Sequence, residues 1–171
     1  NPPYVRARNV SDKTKEFFSD WECGKSGNMD LYMPFYEVGL KLLKSHGKLV
    51  YISPNTYLQA VNGRGLRNYF KSQDITLEII DFRDSQVFSN VTSYTCITRA
   101  YREVGGTIHY ARMKDSEKLG SQSFTTYQMK DLAENQPWRL CDVVHDDLIY
   151  KIEHVGTPLG TWKIRNGLAT L

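Results

Sequence analysis

The sequence predicts an α/β fold, the later half of a doubly wound sheet with an antiparallel strand at one edge. Two observations lead there. A helical stretch opening at Pro34 runs through Gly47 into the apolar run Lys48-Leu49-Val50-Tyr51-Ile52-Ser53, rich in β-formers and closed by Pro54, which reads as a helix feeding a buried parallel strand. Residues 76–82 and 91–102 both read as strands, yet only about eight residues separate them, too few for a helical crossover, so they should pair antiparallel.

Taken in order, Asn1-Pro2-Pro3-Tyr4 is a turn that two prolines hold rigid, sited where a strand would end. Val5 to Asn28 is polar with Phe17, Phe18 and Trp21 as anchors, a loop with short helical turns. From Pro34, residues Phe35, Val38, Gly39, Leu42 and Leu43 fall on one helical face, with Pro34 suited to the first turn and Gly47 to the exit. Tyr57 to Ser72 has helical spacing broken by Gly63-Arg64-Gly65, so a broken helix is expected. After Gly105-Gly106, residues 107–112 form one more strand, and the polar stretch 113–137 holds a short helix near Gln128 to Glu134. Asp146 to Val155 reads as a capped helix closed by Gly156. The composition shift near Gly105 is the best internal boundary.

Composition excludes little. Of 171 residues 40% are hydrophobic and 24% charged, and the net charge of +3 is compatible with a polyanionic partner without arguing for one. Three cysteines, Cys23, Cys96 and Cys141, contain no Cys-x-x-Cys pair, which indicates neither a disulfide framework nor a zinc site and suits a reducing cytosol. No apolar run reaches the roughly 18 residues of a membrane span. A motif ready for chemistry at residue 1 suggests a fragment.

That motif can do one specific thing. The Asn1 amide oxygen and the Pro2 carbonyl offer adjacent acceptors for both N–H groups of a planar amine, and Tyr4 can lay its ring on a flat heteroaromatic. Elsewhere the bland readings prevail. His145-Asp146-Asp147 is a solvated helix start rather than a metal site, Gly63-Arg64-Gly65 lacks the spacing of a phosphate loop, and Arg64, Arg67 and Arg83 are basic residues that either meet phosphates or are solvated.

Asn-Pro-Pro-Tyr resembles the catalytic motif of the amino-methyltransferases. The agreement continues through Asp30-Leu31-Tyr32 with Phe35 and Glu37, Leu43-Lys44 with Gly47, Pro54-Asn55, Val87-Phe88, and Pro158-Leu159-Gly160 with Ile164 and Gly167. Together these resemble the TaqI-type adenine-specific DNA methyltransferases and, more closely, the methylase portion of type IIG restriction-modification enzymes. The resemblance implies the second half of a Rossmann-like, S-adenosylmethionine-dependent methyltransferase sheet. It assigns Asn1 and Pro2 to the amino group of a flipped-out adenine in double-stranded DNA, Tyr4 to one face of the base and Phe88 to the other, and Pro3 and Phe35 to the cofactor. Read without it, Phe88 is a core aromatic beside Val87 and Phe35 part of an apolar helix face; the role of Asp30 is open.

On this reading residues 1–105 are the C-terminal part of the catalytic domain, and 106–171 a connector leading into a truncated target-recognition domain. The glycine-rich cofactor loop and the acidic ribose ligands belong to a missing N-terminal half, so the isolated chain should be inactive and prone to self-association. A cytoplasmic protein with no metal is expected. Two other classes use the same residues: a non-catalytic DNA-binding or subunit-docking module, and a protein-glutamine or RNA methyltransferase, which carries the same tetrapeptide.

Overall fold

The computed structural model describes residues 1–25, 29–88, 93–102, 105–114, 119–140, 148, 150–152, 154–157 and 159–163. The expectations that touch Gly27-Asn28, Val91, His145-Asp146-Asp147, Pro158, Ile164 and Gly167 lie outside these residues. The chain divides into two compact units, Asn1–Leu140 and Cys141–Leu171.

The first unit is built on a five-stranded sheet, β1 (Lys48–Pro54), β2 (Thr76–Asp81), β3 (Thr95–Tyr101), β4 (Thr107–Arg112) and β5 (Thr125–Gln128), in the spatial order β1-β3-β2-β4-β5. Strand β3 runs antiparallel to both β1 and β2, β4 is parallel to β2, and β5 is antiparallel to β4. The antiparallel pairing expected from the short 83–90 connection is therefore present. Two expectations are corrected. Residues 48–53 are paired with an antiparallel neighbour rather than a parallel one, because β3 inserts between β1 and β2; β1 is left as an edge strand with Val50 55% exposed. The helix expected near 128–134 is instead β5 followed by one 3-10 turn, Met129–Asp131. There the β-formers Thr125, Thr126 and Tyr127 pair with β4, and Met129 N–H donates to Gly106 O at 2.8 Å. Strand β4, which follows Gly105-Gly106, pairs with β2 within the first unit.

Short helices precede the sheet. Ser11 caps α1 (Asp12–Glu16), its Oγ accepting from Thr14 N at 3.3 Å. Helix α2 (Met33–Leu42) carries Pro34 in its first turn, as expected. Its buried face is a different one: Met33, Tyr36, Glu37 and Leu40 are inside, whereas Phe35 is 39% and Leu42 77% exposed. The reason is aromatic packing. The Tyr36 ring stands edge-on to Phe70 at 5.4 Å, and its hydroxyl lies 2.8 Å from Ser53 Oγ, so both ring and polar tip are satisfied inside. Gly39 admits Leu49, whose methyls lie 2.8 Å from where a Cβ would stand.

The broken helix appears as expected, 3-10 turns at Asn55–Leu58 and Val61–Gly63 followed by α3 (Arg64–Ser72). Gly63 is required there, because a Cβ would come within 2.4 Å of Tyr57 O. Arg67, fully buried, donates from Nη1 to Tyr57 O at 2.7 Å and Ala60 O at 2.9 Å. It is thus a cap for irregular backbone and not a surface phosphate ligand.

The core lies on one face of the sheet. There the rings of Tyr36, Tyr57, Phe70 and Trp138 pack in sequence, tilted or edge-on to one another, in one core with Cys96 and Ala100. Trp138, just past the stretch read as polar, is tied in by its backbone N–H, which donates to Leu58 O at 2.7 Å. Cys23 and Cys96 are both buried free thiols. The opposite face carries the Glu78–Arg99 ion pair, with the Tyr101 hydroxyl donating to Glu78 at 3.1 Å. In the second unit Leu148, 150–152, His154 and Val155 are helical and exposed, with His154 stacked on Tyr150 at 3.9 Å. No helix among the described residues is long and apolar enough to cross a membrane.

Candidate functional site

Strands β1, β2 and β4 share one direction, and their carboxyl ends, at Pro54, Asp81 and Arg112, open on the same edge as the start of β3. Crevices beyond the carboxyl ends of such strands are where ligands bind in α/β sheets. The first four residues run to this edge. Asn1 and Pro3 are exposed and Pro2 is buried. Tyr4 is anchored by its hydroxyl, which donates to Ile52 O at 2.9 Å.

Burial, with a smaller contribution from Cys96, pushes the Tyr4 phenol up to about 12. It therefore stays protonated at neutral pH and keeps that hydrogen bond. Beyond Tyr4 the backbone is clasped to the start of α2: Leu31 N–H donates to Val5 O at 2.9 Å, and Ala7 N–H to Asp30 Oδ1 at 2.8 Å. Asp30 is thereby a loop anchor, a role its sequence position did not disclose.

Tyr4 forms one wall of a cleft of about 140 Å³ whose other walls include Tyr32, Asp30, Pro54, Thr56 and Tyr94. This is smaller than the roughly 300–1,000 Å³ of sites for drug-sized ligands, and suits one flat ring. The walls are fixed. Tyr32 is fully buried with its hydroxyl 3.3 Å from Thr56 Oγ1, and Tyr94 O accepts from Asn55 N–H at 3.0 Å. A buried polar layer lies beneath, in which Tyr57 OH and Thr98 Oγ1 are 2.8 Å apart and Cys96 Sγ is 3.7 Å from Thr98. Burial and the Asp81 carboxylate push the Cys96 thiol up to about 12, so no thiolate is available there at neutral pH.

The sequence-derived residues are distributed as follows. Tyr4 lines the cleft, whereas Asn1, Pro2 and Pro3, which precede it without regular structure, are not among the described lining residues. Phe88, half-buried after β2, is not among the cleft's described lining residues; Tyr94, 55% exposed, is. Sequence reasoning treated Tyr94 as a strand residue, and its only signal was its place one residue before the first paired residue of β3. Phe35 presents an exposed ring on α2 rather than a core contact. Arg64 lines a separate hollow with Glu22, Lys25 and Asn68.

A second hollow adjoins the cleft. It measures about 360 Å³ and is lined by Asn55, Thr56, Gln59, Asp81 and Arg83 among others, so Thr56 belongs to both. Asp81 organises it: Oδ1 accepts from Asn55 Nδ2 at 2.8 Å and Arg83 N–H at 2.9 Å, and Oδ2 from the Tyr110 hydroxyl at 2.8 Å. The Asn55 of the Pro54-Asn55 pair thus holds the turn after β2.

Comparison with known proteins gives the geometry its context. The family model described as Eco57I restriction-modification methylase matches residues 1–88. The chain is 29% identical over 181 aligned positions to the type II restriction enzyme and methyltransferase RM.Eco57I of Escherichia coli, covering 99% of this chain and 18% of that protein. It is 32% identical over 100 positions to the type II methyltransferase M.HincII of Haemophilus influenzae, covering 57% and 20%. The chain thus spans about a fifth of the length of these relatives. Among solved structures, the DrdV–DNA complex aligns over 85% of this chain and 18% of its own with a TM-score of 0.63 at 14% identity. The type IIG restriction endonuclease BpuSI aligns over 77% and 19% with a TM-score of 0.57 at 15% identity. These structures share the fold.

Proposed function

The chain belongs to the Eco57I restriction-modification methylase family, and from that premise we propose that it is part of a DNA (adenine-N6)-methyltransferase of a restriction-modification system. The observation that carries the reading is that Tyr4 of Asn-Pro-Pro-Tyr walls an aromatic cleft the size of one ring, at the carboxyl edge of the sheet.

In this reading an adenine leaves the duplex and enters beside Tyr4, because its amino group is unreachable inside the stack. Asn1 Oδ1 and the Pro2 carbonyl accept its two N–H groups, which favours the more tetrahedral nitrogen of the transition state over the planar ground state. Tyr4 and Phe88 bracket the ring, with stacking worth roughly 1–3 kcal/mol per base to offset the extrusion. Bound S-adenosylmethionine supplies an electrophilic methyl. Pro3 and Phe35 fit a role against it, since both are exposed and apolar. The chain's own task is then to hold amine and methyl in line.

Residues 1–105 serve as the C-terminal part of the catalytic domain of this cytoplasmic enzyme and 106–171 as the connector to a target-recognition domain. The open edge of β1 and the uncovered sheet face receive the N-terminal half of the same protein. Through them the isolated chain self-associates. The deciding experiment is Asn1→Ala in the intact protein. Loss of adenine methylation with DNA binding retained is expected; undiminished methylation overturns the reading and favours a non-catalytic module.

A further inference from the structure

We propose that the hollow beside Arg83 is a backbone-phosphate site for the DNA strand flanking the extruded base. The inference rests on the base-extrusion reading above and adds to it a ligand that the motif residues do not bind. Four observations carry it.

The first is position. The hollow shares Thr56 with the Tyr4 cleft, and the Asn55 N–H to Tyr94 O bond joins their walls. A nucleotide that rotates out about its own backbone keeps its flanking phosphates at the mouth of the base cleft, and the neighbouring hollow is where one arrives. The second is the backbone of Arg83, which stands at φ 54. Non-glycine residues avoid this region, and such geometry persists where the surroundings enforce it, most often at binding sites. Here they do: its N–H is held by Asp81 Oδ1 at 2.9 Å and its carbonyl by Asn55 Nδ2 at 3.4 Å.

The third is charge. Asp81, the only carboxylate among the described residues lining the hollow, has both oxygens engaged by Asn55, Arg83 N–H and Tyr110. The ion pairs among the described residues do not include the Arg83 guanidinium. Among the described residues the turn therefore presents a cation outside these ion pairs. The fourth is chemistry: a guanidinium fork matches two phosphate oxygens, and Thr56 and Gln59 add neutral donors around it. A phosphate carries no base identity, so Arg83 would fix the register of the strand without selecting sequence.

The test uses the intact protein and the duplex that it modifies, with 2-aminopurine at the modified position and single methylphosphonate linkages on either side. Arg83→Asn removes the charge with a residue that tolerates the left-handed backbone; Arg83→Lys restores the charge. Each lost phosphate contact should lower the slope of log K against log salt by about 0.9. Between 50 and 200 mM salt the Asn variant should thus lose about 3.5-fold less affinity than wild type. It should also become indifferent to the one methylphosphonate that weakens wild type, and Lys should recover both effects. An unchanged slope and unchanged linkage sensitivity, with 2-aminopurine fluorescence still rising on binding, overturns the phosphate site and leaves base extrusion standing. No fluorescence rise in wild type overturns both.

Discussion

Tyr4 and Glu37 show how single side chains fix local backbone. Tyr4 is held by its tip, so the orientation of its ring depends on the position of Ile52 O at the end of β1. Glu37 does comparable work away from the cleft. Fully buried on α2, its carboxylate accepts from Cys23 N–H at 2.9 Å, Glu22 N–H at 3.2 Å and Lys41 Nζ at 2.6 Å, binding the 22–24 turn to the helix. Burial alone would raise its pKa, but these donors outweigh it and hold the group below the ordinary carboxylate value. A depressed folded value means the contribution is present above the unfolded pKa of about 4.3 and is lost as pH falls through the folded one. Glu37→Gln should therefore lower stability at neutral pH and flatten its fall below about pH 4.3, measured by urea unfolding across a pH series. A parallel curve for the variant would contradict this. The sequence displayed the chemistry of Asn-Pro-Pro-Tyr plainly, since proline rigidity and adjacent acceptors are local properties. It concealed Tyr94 and Asp30, whose places depend on which distant segments meet them.

At the scale of elements, the connection from β1 to α3 is the most constrained part of the chain. Two 3-10 turns leave irregular backbone, and Arg67 from the following helix reaches back to Tyr57 O and Ala60 O. Ala60 O also accepts from Gly63 N–H at 3.1 Å, so removing Arg67 strands Tyr57 O in the core, and Arg67→Met should cost about 1.5–3 kcal/mol, the worth of hydrogen bonds to a charged group. The measurement is the urea midpoint at constant m-value, where an unchanged midpoint would show the cap to be idle. The break itself was legible from Gly63-Arg64-Gly65. The buried face of α2 was not, because two stripes of similar apolarity run along it. The choice went to Met33, Tyr36 and Leu40 because the Tyr36 hydroxyl has Ser53 to meet, whereas Phe35 and Leu42 find no partner among the described residues. The apolar, β-rich run 48–53 likewise revealed a strand but not its neighbour. Pairing direction is a property of the sheet and leaves no mark in one strand.

For the molecule as a whole, the sheet has one finished face and one unfinished. Aromatic rings seal the side carrying Cys96, and ionic groups with Val50 occupy the other. The α/β class followed from the helix-to-strand junction at Gly47 and the short 83–90 connection, both of them local. Trp138 and Leu140, just beyond the polar stretch 113–137, escaped notice, for isolated apolar residues give no periodicity to read.

The sealing of that one face has a chemical corollary. Cys23 and Cys96 sit in it with thiols that burial drives upward, Cys96 to about 12, so alkylating reagents, which need the thiolate, should pass them by in the native state. Pulsed iodoacetamide followed by mass spectrometry would then time the opening of the core residue by residue, Cys23 reporting the loop before α2 and Cys96 the middle of the sheet. Rapid modification of either at neutral pH without denaturant would mean the aromatic seal does not hold.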